Sequence, residues 1–562
     1  MQVVEGRERR IECDTLRAMP TTADRLARIA ALAARPFDVL VIGGGITGCG
    51  VARDAARRGL TVALVEKNDF ASGTSSRSSR LVHGGVRYLE HGHLHLVFES
   101  SAERRRLLRI APHLVRPLGF TWPVYAGARV PRWKLGAGLT LYDALALFRN
   151  VGRHRRLNRD GVLSVEPMLR PEGLLGGARY FDAATNDARL TLANAIDAAE
   201  HGAIVVNHAE VETLHVERGR VSGAMIRDRS SGACALVHAS VVVNASGPWS
   251  DDVRALANGE HAATRVAGLR GSKGAHIAVP RDRIGNNAAL TLLHPDDGRV
   301  LFVLPAGSHA IVGTTDTYTT SSPDDVHATR DDVRYLLDSA NAFFPAALLG
   351  ENDVVSAWAG IRPLLASSDV NPVNASREHA VVTSPEGLVS ITGGKLTTYR
   401  VMAHDVVEAV VRRLGRDVLD ASKDARLPGG DFASVDGLTA DVARATGDVE
   451  LTAHLVSSFG SRWTAVWEEI QRPGGRDRIV DDLPYTVGEM RYCVQREMAS
   501  TLGDLLIRRT QLAFQTRDHG AAAAELIAPR LADLLGWHSG EMPMALDAYA
   551  AEAMRVFEIG AD

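Results

Sequence analysis

The stretch FDVLVIGGGITGCGVARDAARRGLTVALVE, residues 37–66, contains the pattern that decides the fold. Residues 38–42 are apolar, as in a buried parallel strand, and a glycine turn at 43–48 follows at once. A helical segment and a second apolar strand, 61–65, come next, and this strand ends at Glu66. This order predicts a dinucleotide-binding fold, in which the turn and the helix N-terminus hold a pyrophosphate and the acid binds ribose hydroxyls.

Two later segments also combine an apolar strand with glycines, namely VVVNASGPWSDDV (241–253) and GLVSITGGKLTTYRVMAHDVVEAVVRRLG (387–415). Three separated segments that meet at one cofactor suit the extended FAD molecule better than NAD. A helix predicted to begin near Lys395 would direct its positive end at the flavin and stabilise the reduced form. We predict non-covalent FAD, because no Cys or His stands in a recognisable flavin-attachment motif.

Composition restricts the class of protein further. The formal net charge of −3 gives no reason to expect a nucleic-acid partner. The four cysteines are far apart and form no CxxC pair, which fits a reducing cytosol rather than a disulfide framework. The N-terminal stretch is charged where a signal peptide is apolar, and no apolar run is long enough to span a membrane. We therefore predict a cytoplasmic protein.

Several motifs resemble those of the FAD-dependent, quinone-linked glycerol-3-phosphate dehydrogenases of the aerobic type. They are residues 37–90, NASGPWSDDV (244–253), RGSKGAHIAV (270–279), VGTTDTY (312–318), AGIRPLL (359–365) and ITGGKLTTYR (391–400). Residues 484–511 resemble the family's helical appendix, and the resemblance runs from about residue 35 to about residue 545. It implies oxidation of sn-glycerol 3-phosphate to dihydroxyacetone phosphate, with hydride passing to flavin N5 and electrons to a membrane quinone.

Two other functions remain open at this point. A glycerol-3-phosphate oxidase would share the substrate reaction and pass the electrons to oxygen, forming peroxide. A flavoprotein that senses a phosphorylated ligand without turnover is a more remote alternative, because a base and a set of cations together indicate an enzyme. The expected partners are the substrate, a membrane quinone, the inner face of the plasma membrane as a peripheral contact, and a second copy in a homodimer.

The loop SSRSSRLVHGGVRYLEHG, residues 75–92, then has a role. Its hydroxyl groups and Thr74 would follow the pyrophosphate and the ribityl chain, and Gly84 and Gly85 would pass beside the flavin ring. The predicted cofactor-binding residues are Gly43, Gly45, Ile46, Thr47, Gly48, Glu66, Thr74, Ser75, Ser79, His83, Gly84, Gly85, Val211, Ala245, Gly247, Trp249, Gly394, Lys395, Leu396 and Thr397.

The substrate requires cations for its phosphate and a base for its hydroxyl proton. We predict that His83, Arg362 and Lys395 are catalytic, with His83 as the base because arginine does not deprotonate. The predicted substrate-binding residues are Arg87, Tyr88, Arg362, Arg377 and Lys395. Arg362 and Lys395 suit either the phosphate or the developing alkoxide, and the sequence does not separate these duties.

The fold class expected is α/β. It has a discontinuous Rossmann-like FAD-binding domain (36–115, 190–260 and 375–415), a mixed or antiparallel substrate domain (116–189 and 261–374) and an all-α C-terminal domain (425–562). A hairpin at 218–219 should join the strands 210–216 and 221–228. Residues 1–35 form an extension, with a solvent-side helix at 23–34.

Two segments have uses that the sequence leaves open. The histidines His91, His93 and His95 alternate, but they would share one face only on a strand, and residues 90–99 have a helical pattern. We predict no metal site there. Residues 129–159 place Trp133 and an apolar stretch between basic clusters, which suits either a helix on an anionic membrane surface or an ordinary buried helix.

Overall fold

The computed structural model describes residues 25–90, 92–147, 150–257, 269–365, 378–538 and 540–561. The strands are β1 (Phe37–Ile42), β2 (Val62–Val65), β3 (Leu81–Val82), β4 (Val115–Tyr125), β5 (Arg155–Leu157), β6 (Leu174–Thr185), β7 (Ile204–Val206), β8 (Ala209–Glu217), β9 (Arg220–Asp228), β10 (Cys234–Asn244), β11 (Leu269–Pro280), β12 (Ala289–Leu293), β13 (Val300–Ala306), β14 (His309–Gly313), β15 (Thr317–Tyr318), β16 (Ala328–Thr329), β17 (Ser356–Leu365), β18 (His379–Thr383), β19 (Val389–Gly393) and β20 (Ile559–Gly560).

The helices are α1 (Arg25–Ala33), α2 (Ile46–Arg57), α3 (Leu94–Ile110), α4 (Arg132–Leu145), α5 (Arg159–Val165), α6 (Asp187–Glu200), α7 (Ser250–Ala257), α8 (Arg281–Ile284), α9 (Arg330–Phe343), α10 (Tyr399–Leu414), α11 (Val435–Thr446), α12 (Val449–Phe459), α13 (Trp463–Gln471), α14 (Val487–Arg496), α15 (Leu512–Gln515), α16 (Ala521–Leu535) and α17 (Glu541–Phe557). A π-helix, Asp504–Arg509, lies between α14 and α15.

The first sheet, here called the parallel sheet, has the order β18-β19-β10-β1-β2-β7, and the β8–β9 hairpin extends from β10. β1 pairs in parallel with both β2 and β10, so the chain crosses to opposite sides of β1. Alternate residues of β1 face opposite layers: Val39 and Val41 pack towards α2 and α10, and Leu40 and Ile42 pack towards α1. The reversal of strand order creates a crevice at the carboxyl end of β1, where open α/β folds bind ligands.

The second sheet, here called the cap sheet, has the order β15-β11-β14-β13-β12-β4-β6-β3, with β17 beside β11 and β5 beside β6. Its pairs are antiparallel except for the β4–β12 pair. α11–α17 follow the two sheets, with the short β20 paired to β16. These layers confirm the predicted fold class. The exact domain boundaries remain predictions, and β3, which lies in the range predicted for the FAD domain, pairs with β6 of the cap sheet.

Two helix predictions need correction. α1 is not on the solvent side, because Ile29 and Leu32 are buried against the parallel sheet, and Arg25 bonds Asp228 across that layer. The prediction of a surface helix rested on its alanine content. Alanine occurs both in buried and in exposed helices, so this content does not indicate which face packs. α3 begins only at Leu94 and not at residue 90, with His93 preceding its first turn, while His91 lies outside the described residues. Within the described chain, no helix is both long and apolar enough to cross a bilayer.

A buried ion network ties the C-terminal helices to the parallel sheet. Asp69, in the loop after β2, accepts hydrogen bonds from Arg508 at 2.7 Å and from Arg509 at 3.0 Å. All three side chains are almost fully buried. Burial raises the pKa of Asp69, but the charges of Arg509 and Arg508 outweigh that effect and lower it. The C-terminal domain thereby fixes the loop that follows Glu66.

We expect Asp69→Asn to lower the free energy of unfolding by about 3–5 kcal/mol, because two buried arginines lose their shared counterion. Equilibrium denaturation of the variant and the wild type measures the loss. Asp424→Asn is the matched control, since Asp424 is exposed and pairs with Arg106 and Arg109 at the surface. That control should change stability by about 1 kcal/mol or less. Equal effects of the two substitutions would contradict the role of the network.

Candidate active site

The glycine turn after β1 brings two backbone segments into contact. Gly43 has a φ of +109°, and a Cβ built on it would lie 2.7 Å from the carbonyl oxygen of Ala245. A Cβ on Gly48 would lie only 1.9 Å from the carbonyl oxygen of Gly43. Both glycines therefore serve the close packing of strand, turn and α2. Gly45 differs, because a Cβ there would meet only the hydroxyl of Ser75, at 3.3 Å.

Glu66 stands at the end of β2, as the fingerprint predicts. Its carboxylate accepts hydrogen bonds from the backbone amides of Gly44 at 2.6 Å and Asn68 at 2.8 Å. Burial raises the pKa of Glu66, and these two amide bonds act in the opposite direction. The carboxylate is thus fixed at the rim of the crevice, in the position where a ribose hydroxyl binds in dinucleotide folds.

A cleft of about 500 Å³ follows the carboxyl ends of β1, β2, β10 and β19. Its lining includes fourteen of the predicted cofactor residues: Gly43, Gly45, Ile46, Thr47, Glu66, Thr74, Ser75, Val211, Ala245, Gly247, Trp249, Gly394, Lys395 and Leu396. The three segments that the sequence singled out therefore meet along one groove. The groove fits FAD in three respects: its length, the glycines that form its floor, and Glu66 at one end.

A second cavity of about 290 Å³ continues the cleft between the parallel sheet and the cap sheet. The two spaces share the wall residues Ile46, Thr74, Ser75, Pro363, Gly394, Lys395 and Leu396. Ser79, His83, Gly85, Tyr88, Arg362 and Thr397, all predicted site residues, line this second cavity. We call it the substrate cavity, because it adjoins the end of the cofactor cleft and contains the candidate base and cations.

Arg362 of β17 reaches the substrate cavity from the cap sheet. Its guanidinium lies 3.1 Å from an Asp316 oxygen and 3.1 Å from the Thr314 hydroxyl. A Cβ on Gly274 would lie 2.4 Å from an Arg362 nitrogen, so the absence of a side chain at 274 makes room for the guanidinium. Asp316 in turn accepts a bond from Ser272. These contacts hold a forked cation in a defined orientation.

Lys395 lies at the start of the turn that leads into α10, as predicted from the sequence. Its ammonium group lies 3.7 Å from the centre of the Tyr88 ring and 3.5 Å from the Ser100 hydroxyl. The cation–π contact holds the positive charge of Lys395 over the face of the Tyr88 ring at the boundary between the two cavities. Lys395 is one of the residues that line both.

Two histidines line the substrate cavity. His83 is anchored through its backbone, because its amide and carbonyl both bond the hydroxyl of Thr397. His276, on β11, stacks on Trp358 with ring centres 5.5 Å apart, and its Nε2 lies 2.9 Å from the Ser79 hydroxyl. Burial lowers the pKa of His276 to about 3, and the charge of Arg362 adds to this effect.

His276 was not among the predicted site residues, although it lies in the RGSKGAHIAV motif. The motif itself indicates a special role for His276, because a histidine in the middle of an apolar strand needs a polar partner or a function. Arg77 and Arg299 also line the cavity and were not predicted. Their positions depend on how the cap sheet packs over the cleft. The local sequence pattern around each arginine does not report on that packing.

Several predicted residues lie elsewhere. Gly84 lines neither cavity, because its amide donates to Asp182 and a Cβ on it would meet the Tyr142 hydroxyl at 2.3 Å. Thr74 and Ser78 do line the cavities, but their hydroxyls already donate to protein, Thr74 to the Ile361 carbonyl and Ser78 to Asp187. Gly48 lies below the cleft floor. The side chain of Arg87 and all of Arg377 fall outside the described residues.

Comparison with protein families agrees with this geometry. Residues 38–400 match the model of the FAD dependent oxidoreductases. Residues 402–542 match the model of the C-terminal domain of alpha-glycerophosphate oxidase. The fold and the cleft thus define an FAD-dependent oxidoreductase.

Individual relatives narrow the class. The chain is 39% identical over 538 residues to glycerol-3-phosphate dehydrogenase 2 of Mycobacterium tuberculosis, which covers 94% of this chain and 90% of that protein. It is 35% identical to the aerobic glycerol-3-phosphate dehydrogenase of Staphylococcus aureus, covering 92% and 93%. The glycerol-3-phosphate dehydrogenase of Bacillus halodurans, solved with FAD, superposes with a TM-score of 0.79 at 31% identity over 95% of this chain and 98% of that one. The chain belongs to the FAD-dependent glycerol-3-phosphate dehydrogenase family.

Proposed function

We propose that the protein oxidises sn-glycerol 3-phosphate to dihydroxyacetone phosphate and passes the electrons to a membrane quinone. FAD supplies the redox chemistry by accepting a hydride equivalent and then giving up two electrons. The observation that carries the proposal is the substrate cavity, where His83, Arg362 and Lys395 lie together beside the cofactor cleft. The names of the relatives support the same substrate.

The cations of the cavity divide the work of recognition. Arg362 presents a planar fork, which matches the oxygens of a phosphate dianion in a bidentate manner. Lys395, at the junction with the cofactor cleft, suits the oxygen that develops negative charge as the hydroxyl proton leaves. Arg87 and Arg377 remain proposed members of the phosphate site.

The base must accept the hydroxyl proton of the substrate carbinol. We assign this role to His83, which is held by Thr397 on the loop that faces the cofactor cleft. His276 is the second candidate, but its lowered pKa makes it a weak proton acceptor. In this scheme neutral His276 positions substrate hydroxyls through the Ser79–His276 pair.

We expect Arg362→Ala to weaken transition-state binding of glycerol 3-phosphate by about 2–5 kcal/mol, read from kcat/KM. The slow turnover of glycerol, which has no phosphate, should hardly change. Arg362→Lys keeps the positive charge but loses the forked pair of donors. Its kcat/KM for glycerol 3-phosphate should lie between those of the wild type and Arg362→Ala. Arg334→Ala, a surface change on α9, is the matched control. Parallel losses for glycerol and glycerol 3-phosphate would mean that Arg362 serves the fold instead.

The exposed face of α4 supports a membrane-bound acceptor. Trp133 is 73% exposed and Leu141 is 41% exposed, and their spacing of eight residues puts them on one face of the helix. Leu147, just beyond the helix, is 53% exposed. The opposite face buries Leu135, Leu139 and Tyr142 in the core. Such a helix suits insertion into the surface of an anionic bilayer, so we propose a cytoplasmic enzyme bound peripherally to the inner face of the plasma membrane.

The double change Trp133→Ser and Leu141→Ser should weaken binding to vesicles of anionic phospholipid at least about tenfold, because each lost apolar contact is worth more than about 1 kcal/mol. Sedimentation of protein with vesicles measures the partition. Leu419→Ser removes a similarly exposed apolar side chain elsewhere and should leave binding unchanged. Undiminished binding of the double variant would show that α4 does not contact the membrane.

The expected homodimer remains a prediction.

An oxygen-linked oxidase is the second candidate function, favoured by the match of residues 402–542 to a domain described from an alpha-glycerophosphate oxidase. The acceptor is decided by measuring peroxide formed per glycerol 3-phosphate consumed, with and without a soluble quinone analogue. A dehydrogenase should form little peroxide, and the quinone should strongly stimulate its oxidation of glycerol 3-phosphate. One peroxide per substrate in both conditions would establish the oxidase instead.

A further inference from the structure

A third cavity, of about 240 Å³, lies where the cap sheet, the loop before β3 and the C-terminal helices meet. Arg80 enters it from the loop, Arg116 from β4, and Arg509, Thr510 and Gln511 from the C-terminal domain. Its lining also includes several hydroxyl and amide side chains, and none of its described lining residues is an aspartate or a glutamate. We call it the junction cavity.

The guanidinium group of Arg80 has too few hydrogen-bond acceptors. Its guanidinium lies against Trp358 and Phe514, 5.5 and 4.7 Å from the ring centres, and one nitrogen donates to Gln511 at 2.6 Å. Its Nε and its other terminal nitrogen are buried and find no acceptor in the described part of the chain. Burial lowers the pKa of Arg80, and the charge of Asp187 only partly opposes it. Asp187 itself is bonded to Ser78 and the amide of Ala188.

The other two arginines differ in their pairing. Arg509 is satisfied, because it bonds Asp69 and the carbonyl of Glu497. Arg116, at the mouth of the cavity, is exposed to solvent, and its side chain makes no hydrogen bond or ion pair with the described residues. Arg80 and Arg116 are therefore two cations that share one polar cavity, and no carboxylate is among its described lining residues. Since two nitrogens of the Arg80 guanidinium are buried without an acceptor, an anion from solution held between Arg80 and Arg116 would stabilise this arrangement.

We propose that the junction cavity is a second anion site, separate from the substrate cavity, which binds a small oxyanion of the phosphate type. Arginines bind such anions through paired N–H donors, and the surrounding hydroxyls and amides can satisfy the remaining oxygens. The volume accommodates inorganic phosphate or the phosphoryl end of a small metabolite. A quinone would leave the two cations unpaired in a mostly polar space.

The position of the site gives it a regulatory use. Ser79 lines both the junction cavity and the substrate cavity, and its hydroxyl lies 2.9 Å from Nε2 of His276. An anion held by Arg80 and Arg116 would also bridge the loop before β3 to the cap sheet and, through Gln511, to the C-terminal domain. Occupancy of the junction cavity would thus stabilise the domain arrangement and bias the orientation of Ser79.

Equilibrium dialysis of the FAD-loaded protein with labelled inorganic phosphate tests the proposal. We expect two binding sites per chain, one of which weakens at least tenfold in Arg116→Gln while the other is retained. Arg444→Gln makes the same charge change on the exposed face of α11 and should retain both sites. Phosphate should also raise the melting temperature of the wild type more than that of Arg116→Gln. A single site in the wild type, or two unchanged sites in Arg116→Gln, would overturn the proposal.

Competition then identifies the source of the anion. If glycerol 2-phosphate displaces labelled phosphate from the Arg116-dependent site at lower concentration than unlabelled phosphate does, the site is adapted to an organic phosphate. If unlabelled phosphate competes better, free phosphate is the ligand. Either order supports an oxyanion site. Failure of both to displace the label at the Arg116-dependent site would contradict it.

Discussion

Gly45→Val is expected to give a folded protein that contains no FAD and is colourless. The backbone at Gly45 has an ordinary φ of −73°, and a Cβ there meets only the Ser75 hydroxyl at 3.3 Å, so the chain itself tolerates the change. The added side chain would instead project into the cleft where the pyrophosphate binds. Visible absorbance and FAD released on denaturation measure the cofactor, and far-ultraviolet circular dichroism measures the fold.

Two further glycines provide the comparison for Gly45. A Cβ at Gly138, on α4, has no atom of the described residues within 4 Å, so Gly138→Val should keep its FAD. A Cβ at Gly48 would collide with the Gly43 carbonyl at 1.9 Å, so Gly48→Ala should lose both stability and cofactor. Gly45→Val alone should separate the two properties. A yellow Gly45→Val protein with full FAD content would show that the pyrophosphate binds elsewhere.

His83→Asn is expected to slow reduction of the bound cofactor by glycerol 3-phosphate about 10²–10⁴-fold, the usual cost of losing a general base. FAD content should remain normal, because the backbone groups of His83 that bond Thr397 are kept. Stopped-flow absorbance at saturating substrate measures the rate. His404→Asn, on the outer part of α10, is the matched control and should leave the rate unchanged.

The pH profile separates the two histidines of the substrate cavity. His276 is neutral from about pH 5 to pH 8, because burial, Arg362 and Arg80 lower its pKa to about 3. Its protonation therefore cannot slow the reaction in that range. A loss of rate towards acid pH that is present in the wild type and disappears in His83→Asn would indicate that His83 is the base. A near-normal rate for His83→Asn together with a large loss for His276→Asn would transfer the base role to His276.

The nucleotide fold was predictable because its signals are local. The glycine turn, Glu66 and the start of α10 near Lys395 each follow from a strand end and the residues just beyond it. The β8–β9 hairpin also matches its prediction, since Arg218 and Gly219 both adopt positive φ at the turn. Such features depend on backbone conformation within a few residues, and amino-acid type reports on that directly.

The remaining features depend on contacts distant in sequence. Residues 489–509 have apolar side chains at helical spacing, yet α14 ends at Arg496 and the π-helix begins at Asp504. Met498 adopts a positive φ between them, and Arg508 and Arg509 bond Asp69, which is distant in sequence. His276 enters the substrate cavity only because β11 pairs with β14 and β17. Gly84 is close-packed against Tyr142 of a helix almost sixty residues away in sequence. No local pattern reports those pairings.

The proposed activity is tested most directly by mixing the FAD-loaded protein anaerobically with sn-glycerol 3-phosphate. The flavin absorbance at about 450 nm is followed. We expect rapid and complete bleaching by glycerol 3-phosphate, slow bleaching by glycerol, and formation of one dihydroxyacetone phosphate per FAD. Flavin that stays oxidised at saturating glycerol 3-phosphate, or is bleached equally fast by glycerol, would contradict the assignment of the substrate cavity.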